Sequence, residues 1–368
     1  MSKTSPISIL CAGPGLGFYI PGILAHRQLN QAGLAAVVHV FEDFLVEHKK
    51  QNVPKAKINF HRNFSFALMG QNLAKDPSSH LDEYQVEQLL SLWQKEERRH
   101  FMVFSGFWIP LLRRYGDRVG IAELFIDLCH VDSAPSTSWS LFDTASAEYN
   151  HVWFNNWENK KVSYYIDVSG APVIPYEKRG KSFVIHGGGW GMGTYKEKLN
   201  ELNRSKLMLD VIAYEYGDLD QRHELNNYYM IDPQWNTWDL DQNGLHQFPP
   251  FGQADFSGKV SFKENFHYPE IYNIIRNSMA IISKPGAGTL LDSLSSATPL
   301  VSLKPFGGYE NKNALLWEHF GLGTSFENWE ASGFSEKLLS EMHKNLVEMR
   351  ASAKDYIKTY INNFIYGT

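Results

Sequence analysis

Cysteine is scarce in this chain, which has only Cys11 and Cys129 among its 368 residues. Both follow apolar stretches typical of strands, so we interpret them as buried free thiols, which fits a reducing compartment. The sequence also lacks an apolar run long enough to span a membrane, and glycines and a proline interrupt the run near its start where a signal peptide would be hydrophobic. We therefore expect a cytoplasmic protein.

An excess of positive charge is missing too. Lysine and arginine number 35 against 40 aspartate and glutamate residues, which gives a formal net charge of -5. Proteins that bind nucleic acid usually carry a basic face, so nucleic acid is excluded as an expected partner. The chain is 43% hydrophobic and 20% charged, as globular proteins are, and its length predicts two domains rather than one.

The stretch from Ile281 to Ala314 carries the clearest functional pattern. It combines a β-branched strand, a glycine turn, a helix, a second apolar strand and a polar loop, which is the order of a nucleotide-binding α/β unit. The turn contains Lys284, Gly286, Gly288 and Thr289. Glycines let the backbone approach a ligand, and the following helix directs its positive end to the same place, so the turn predicts an anion site.

Polar side chains follow this turn at useful positions. Asp292 falls one turn into the predicted helix, where its carboxylate can accept hydrogen bonds from ribose hydroxyls, and the later loop offers Glu310, Asn311 and Asn313. Together these residues predict a nucleotide-sugar pocket. The alternative is an ordinary βαβ turn with polar edges, because glycine motifs occur in many proteins.

The segments SKPGAGTLLDSL and PLVSLKPFGGYENKNA resemble the donor-site signature of GT-B glycosyltransferases. The likeness is greatest to the lipid-I N-acetylglucosaminyltransferases of peptidoglycan synthesis and the plastid galactolipid synthases. Asp292, Glu310 and Asn313 match the polar positions of that signature. The resemblance implies an α/β GT-B fold with two Rossmann-like, doubly wound domains facing a cleft. It also implies transfer of a sugar from a nucleotide-diphosphate sugar, with UDP as the nucleotide that the resemblance favours, with inversion and without a metal.

A first glycine turn follows the first predicted strand. Gly13, Gly15 and Gly17 lack the GxGxxG spacing of a dinucleotide site, and their segment resembles the acceptor-side glycine loop of the same families. Phe18 stands where those families usually have histidine. Gly106, after another predicted strand, occupies a similar place on the acceptor side.

A second glycine turn, over residues 187–193, precedes another predicted helix and matches the second glycine loop of the fold. We assign Gly188, Gly189 and Gly191 to the phosphates of the sugar donor. We also place Phe262 on the donor side, in the strand that resumes the sheet after a polar insertion over residues 217–258.

Acidic spacings in this insertion resemble metal sites. Asp218 and Asp220 form a DxD pair, and the segment from Asp239 to Gly244 begins like a calcium loop, but Pro250 stands where such a loop needs a glutamate. We therefore predict no metal and no cofactor, and we expect backbone amides and helix N-termini to hold the diphosphate of the donor.

Because phenylalanine at position 18 cannot take up a proton, another residue must be the catalytic base. His130 and Asp132 follow the predicted strand Phe125–Leu128, at the carboxyl edge where open α/β sheets bind ligands. Imidazole titrates near neutral pH, and a desolvated carboxylate can act as base or orient the imidazole. We predict both as catalytic residues, against the alternative of a turn in which Asp132 bonds Ser133 and nearby amides.

These assignments predict an acceptor-side domain over residues 1–177, a donor-binding domain over 178–350, and a helix within 351–368 that packs back on the first domain. The acceptor is open among small molecules, peptides and lipid-linked compounds. Peripheral membrane contact through a patch around Trp108 is the alternative to core packing, which we favour. Other functions stay open: a nucleotide-sugar epimerase, an NAD-dependent oxidoreductase, or a catalytically silent protein that binds a sugar nucleotide, which the phenylalanine at position 18 favours.

Overall fold

The computed structural model describes residues 5–13, 15–73, 75–145 and 147–366. The first half forms a sheet of parallel strands in the order β2-β1-β3-β4-β5. Its strands are β1 (Ile7–Cys11), β2 (Ala36–Val40), β3 (His100–Val103), β4 (Phe125–His130) and β5 (Tyr149–Trp153). The helices of this half are α1 (Ile20–Gln31), α2 (Glu47–Lys50), α3 (Asn52–Arg62), α4 (Phe64–Asn72), α5 (Glu83–Lys95), α6 (Ile109–Val119) and α7 (Thr137–Ser140). The apolar strand β1 is buried along its whole length, because parallel sheets are covered on both faces.

Three short strands, β6 (Asn155–Asn156), β7 (Lys161–Val162) and β8 (Tyr164–Tyr165), lead to the second sheet. That sheet contains β9 (Ser182–His186), β10 (Met208–Ala213), β11 (Asn227–Ile231), β12 (Phe251–Gln253), β13 (Ile281–Ser283), β14 (Leu300–Ser302) and β15 (Gly323–Ser325). Its helices are α8 (Tyr195–Arg204), α9 (Ile271–Asn277), α10 (Ala287–Ser296), α11 (Gly308–His319), α12 (Phe326–Ala331) and α13 (Glu336–Ser352). The chain then forms β16 (Lys354–Asp355) and α14 (Tyr356–Tyr366).

The order of the strands fixes where ligands can bind. The second sheet has the order β12-β11-β10-β9-β13-β14-β15, with β12 antiparallel to its neighbour. The strand order reverses between β9 and β13, and in the first sheet it reverses between β1 and β3. Crevices open at such switch points beyond the carboxyl ends of the strands, and glycine turns follow β1, β9 and β13.

The last helix contacts the first sheet. The hydroxyl of Tyr356, at the start of α14, donates to Asp127 Oδ2 at 2.8 Å, and the ring of Phe364 meets His100 edge-on at 4.9 Å. Residues 367 and 368, which end the segment assigned to this helix, lie outside the described residues.

The polar junction between the two sheets is anchored by a buried arginine. The Arg179 guanidinium donates to Thr298 Oγ1 at 2.6 Å and to the carbonyls of Ser296 and Ser278 at 2.7 and 3.0 Å. The Arg179 side chain is buried. This end of the junction is therefore part of the second half of the molecule.

The polar insertion reaches back to the first sheet through residues 232–250. The Tyr19 hydroxyl donates to the carbonyl of Gln247 at 2.7 Å, and the ring of Trp235 packs edge-on against Tyr19 at 5.6 Å. Nearby, His246 Nε2 lies 3.5 Å from Asp43 Oδ2. Residues 232–250 thus form an arm that ties the second half to the first glycine turn.

The patch around Trp108 belongs to the core, as favoured from the sequence. The Trp108 side chain is fully buried, and its Nε1 donates to the Cys11 carbonyl at 2.7 Å. Cys11 and Cys129 are both buried and free, as predicted. Among the described residues, the helices are too short or too polar for any of them to cross a membrane.

Glu42 is buried beside the first glycine turn, where both of its carboxylate oxygens accept from the Gly13 amide at 2.9 and 3.0 Å. Burial raises the pKa of this carboxyl to about 7, against an ordinary value of 4.5, and the bond from Gly13 opposes only part of that rise. The folded protein therefore holds a proton that the unfolded chain releases. The free energy of unfolding should fall as pH rises from about 4.5 through about 7.

Glu42→Gln provides the test because glutamine keeps an acceptor for Gly13 and cannot ionise. Denaturant titrations at about pH 5 and about pH 8 should show that the wild type loses roughly 2–3 kcal/mol more than Glu42→Gln over this interval. Other buried carboxyls contribute equally to the pH dependence of both proteins, so their contributions cancel in the comparison. Equal pH dependence in the two proteins would show that Glu42 ionises normally.

Candidate active site

A cavity of about 310 Å³ lies beyond the carboxyl ends of both sheets, a size within the range of small-molecule sites. Its walls come from the glycine turns after β1, β9 and β13, from the loop after β4, and from α3 and α4. The sequence-predicted residues that line it are Gly15, Gly17, Phe18, Asp132, Gly188, Gly189, Lys284, Gly286, Gly288, Thr289, Asp292 and Glu310. The two sets of predicted residues, acceptor-side and donor-side, therefore meet in one cavity.

The turn after β13 places backbone, a helix end and a cation together. Helix α10 begins at Ala287, directly after the turn, so its free N–H groups and positive end lie at the cavity wall. A Cβ at Gly286 would lie 3.1 Å from Lys284 Nζ, and one at Gly188, across the switch point, would lie 3.5 Å from the same atom. The ammonium therefore lies close to the backbone of both glycine turns, next to the positive end of α10, and this combination of charges is typical of an anion site.

Lys284 is held by Glu310. Lys284 Nζ lies 2.6 Å from Glu310 Oε1, and Glu310 Oε2 accepts from the Phe306 amide at 2.6 Å. Both carboxylate oxygens are therefore engaged by the protein. The sequence placed Glu310 and Asn311 in the nucleotide-sugar pocket. Glu310 lines the cavity as the ion-pair partner of Lys284, whereas Asn311 is exposed outside the cavity wall.

Asp292 faces the cavity with a free carboxylate. Its side chain is half-buried, and no hydrogen-bond donor of the described residues contacts it. Burial raises the pKa of this carboxyl to about 7. A carboxylate placed in this way is ready to accept hydrogen bonds from a ligand.

Asp132 enters the cavity from the loop after β4 and is oriented by Asn313 of α11. Asn313 Nδ2 donates to Asp132 Oδ1 at 2.7 Å and to the Pro285 carbonyl at 2.8 Å, while Asn313 Oδ1 accepts from the Ser133 amide at 2.7 Å. The asparagine is therefore saturated and fixed. It joins the acceptor-side loop to the turn that holds Lys284.

The protonation of Asp132 is set by its surroundings. Burial raises the pKa of the Asp132 carboxyl to about 7, with the Asn313 bond and Lys284 opposing the rise and Glu310 adding to it. A carboxyl that titrates near neutral pH can exchange a proton with a substrate.

Comparison with solved structures identifies the architecture. The glycosyltransferase SsfS6 of Streptomyces sp. SF2575, solved with thymidine diphosphate, is similar over 97% of this chain and 99% of its own, with a TM-score of 0.53 and 12% identity. SnogD from Streptomyces nogalater matches 98% of this chain and 99% of its own, with a TM-score of 0.53 and 12% identity. MurG of Acinetobacter baumannii matches over 97% and 98%, with a TM-score of 0.50 and 11% identity.

The chain has the GT-B fold. The predicted fold class is thereby confirmed, and so is the resemblance that led to it, as a likeness of architecture. No protein-family profile matches the chain. A processive diacylglycerol beta-glucosyltransferase of Bacillus mycoides (strain KBAB4) is 26% identical over 155 residues, which is 42% of this chain. The match spans 40% of that curated relative's length.

His130, the other predicted base, does not line the cavity of this GT-B fold. Its ring is buried and stacks on Trp153 with centroids 4.1 Å apart, and its Nε2 lies 2.9 Å from His151 Nδ1. Burial, followed by the neighbouring His151, lowers the pKa of His130 to about 3. Of the two predicted bases, Asp132 lines the cavity and His130 packs against Trp153.

Several predicted residues lie outside the cavity wall for identifiable reasons. The Gly13 amide is bonded to Glu42, and Gly106 packs so closely on the backbone of Ser138 that a side chain would not fit. The Gly191 carbonyl accepts from His61 Nδ1 at 2.8 Å. Phe262 packs against the main hydrophobic core. Asn313 is buried behind the wall, where it acts through Asp132.

Helices α3 and α4 complete the site, and sequence reasoning assigned no role to them. Phe60 and Gln71 of these helices line the cavity, and Gln71 Nε2 donates to the Phe306 carbonyl at 3.3 Å. Phe60 and Phe306 both pack in a small cluster with Trp190 and Met192 of the second half. In the sequence, these two helices show only a run of aromatic residues at irregular spacing, which does not indicate a functional site.

Asp218 of the DxD pair lies in a cluster of possible metal ligands that already contains a lysine ammonium. His61, Glu215 and Asp218 bring ligand atoms within 4.8 Å of one another. However, Lys196 Nζ lies 2.8 Å from His61 Nε2 and pairs with Asp218. Because an ammonium already occupies this cluster, we interpret it as a polar contact between α3 and the second sheet.

Proposed function

We propose that the protein is a glycosyltransferase that moves a sugar from a nucleoside-diphosphate sugar to an acceptor hydroxyl, with inversion at the anomeric carbon. In this proposal residues 1–177 supply the acceptor side and residues 178–350 bind the donor. The observation that carries the proposal is the position of Asp132, a buried carboxylate fixed by Asn313 in the same cavity as the cradle around Lys284.

The proposed reaction uses these groups in defined ways. The diphosphate would lie against the N-terminus of α10 and the Lys284 ammonium, which stabilise the charge that develops when the bond between C1 and the phosphate oxygen breaks. The acceptor oxygen forms the new bond to C1 from the opposite face, and its proton passes to Asp132. Lys284 and the backbone amides, which are groups of the chain itself, thus offset the negative charge of the diphosphate.

The acceptor wall is largely apolar. Phe18, Phe60 and Phe107 line it, which favours an acceptor with an apolar portion next to its hydroxyl. Phe18 itself supplies no base, so a catalytically silent binding protein is the second candidate function. The oriented carboxylate of Asp132 favours an enzyme.

A direct test incubates the purified protein with UDP- and TDP-linked sugars and a panel of hydroxylated acceptors, followed by mass spectrometry. TDP belongs in the panel because SsfS6 was solved with thymidine diphosphate. Sugar-bearing products support transfer, and isomerised donor without acceptor indicates an epimerase. Donor binding without any turnover across the panel would favour the silent binding protein.

Asp292→Asn should weaken binding of the nucleotide donor by about ten-fold or more, because a charge-assisted bond to the ribose becomes a neutral one. Calorimetric titration of UDP or TDP measures this directly. Asp220→Asn makes the same chemical change outside the cavity and serves as the control. Unchanged affinity in folded Asp292→Asn would remove the residue from the ribose site.

A further inference from the structure

We infer that His186 is a ligand-binding residue of this cavity, whose neutral imidazole donates an N–H to the terminal phosphate of the nucleoside diphosphate. This inference rests on the proposed function. His186 ends β9, opposite Ser283 at the end of β13, and thus stands at the switch point of the sheet. Its side chain is 5% exposed and lines the cavity.

The hydrogen bonds of the ring fix its tautomer. The Gly188 amide donates to His186 Nδ1 at 3.0 Å. A backbone amide can only donate, so Nδ1 carries a lone pair and the ring proton is on Nε2. Burial, and then the Lys284 ammonium, lower the pKa of His186 to about 3, so the ring is neutral at physiological pH.

The Nε2–H group has no acceptor among the described residues, although it is buried. Buried N–H groups are nearly always paired, because an unpaired one loses its bonds to water without compensation. An oxygen that enters the cavity with the ligand is the missing partner. The loop after β9 runs beside this ring with Gly188, Gly191 and Gly193 at positive φ angles, which glycine adopts freely.

The neighbours of His186 define the chemistry of that oxygen. His186 and Lys284 both line this cavity, and the ammonium is close enough to contribute to the lowered pKa of the imidazole. The Gly188 amide, which the sequence assigned to the phosphates, is already bonded to His186. The imidazole N–H therefore donates to the phosphate where that amide was expected to. An anionic phosphate oxygen is the acceptor that suits both the imidazole N–H and the Lys284 ammonium.

Two variants separate the functions of the two ring nitrogens. In His186→Asn the side-chain oxygen can still accept from the Gly188 amide, but the N–H donor at the position of Nε2 is lost. In His186→Gln the amide nitrogen reaches the place of Nε2 and keeps that donor. Calorimetric titrations with UDP and with UMP compare a ligand that has the terminal phosphate with one that lacks it.

We expect His186→Asn to bind UDP about ten-fold or more weakly than the wild type, with UMP affinity unchanged, and His186→Gln to retain most of the UDP affinity. Equal losses for UDP and UMP, equal losses in the two variants, or wild-type UDP affinity in His186→Asn would overturn the inference. In the wild type, nitrogen-15 NMR should show the Nε2–H tautomer and a shift of that signal on adding UDP, and an unmoved signal would also overturn it. If the wild type binds neither UDP nor TDP, the proposed function fails and this inference fails with it.

Discussion

Replacing Asp132 by asparagine is expected to lower turnover of the transfer reaction by about 10²-fold or more, the usual scale for loss of a general base, while nucleotide binding persists. Asparagine keeps the shape of the side chain and can still accept from Asn313 through its oxygen. It cannot take up the acceptor proton. The effect should therefore fall on kcat at saturating donor and leave the calorimetric affinity for the nucleotide unchanged.

The pH dependence of the wild type gives an independent reading of the same group. The base must be ionised to work, so kcat should rise with pH as the Asp132 carboxyl titrates, with a midpoint at about 7. Asp292→Asn, the matched change in the same cavity, should alter the donor affinity and keep this pH profile. Wild-type turnover in Asp132→Asn, or a profile that stays flat through pH 7, would place the base elsewhere.

The sequence predicted the architecture well because the relevant signals are local. Apolar strands such as Ile7–Cys11 and Ile281–Ser283, each followed by a glycine turn and a helix, define βαβ units without reference to the rest of the chain. Carboxyl ends of parallel strands meet at one edge of a sheet, so Asp132 and Lys284 could each be placed at the ligand edge of their own sheet. That the two edges face one cleft was an expectation from the family resemblance, and both residues line the same cavity.

Pairings between distant residues were out of reach of such reasoning. Glu310 lines the cavity, and its ion pair with Lys284 depends on how α11 packs against the turn after β13. His130 and Asp132 look equivalent in the sequence, two positions apart. Only the packed structure turns His130 onto Trp153 and Asp132 into the cavity.

The long insertion shows the same limit. Its contacts with the first sheet run through single side chains and carbonyls, such as the Tyr19 hydroxyl on Gln247, which lies 228 positions away. No periodic pattern in the sequence predicts contacts of this kind. Residues 232–250 and helices α3 and α4 thus connect the two halves through contacts that no local pattern in the sequence predicts.

The pair of Lys284 and Glu310 should show the largest effect on stability. Both side chains are buried, so Glu310→Gln leaves an ammonium without its counter-charge and should lower the free energy of unfolding by about 3–5 kcal/mol. Lys284→Met leaves a buried carboxylate whose remaining hydrogen bond, among the described residues, comes from the Phe306 amide, and a loss of similar size is expected. Denaturant titration of each variant measures these losses.

The double variant Lys284→Met/Glu310→Gln separates stability from function. Removing both charges of a buried pair restores much of the lost stability, since neither partner is left unpaired and the cost of burying charge disappears. The cation that faces the diphosphate is still missing, so binding of UDP or TDP should stay at least ten-fold weaker than in the wild type. A double variant that recovers both stability and nucleotide affinity would show that Lys284 serves the fold alone. One that recovers neither would show that the pair is not coupled as its 2.6 Å contact indicates.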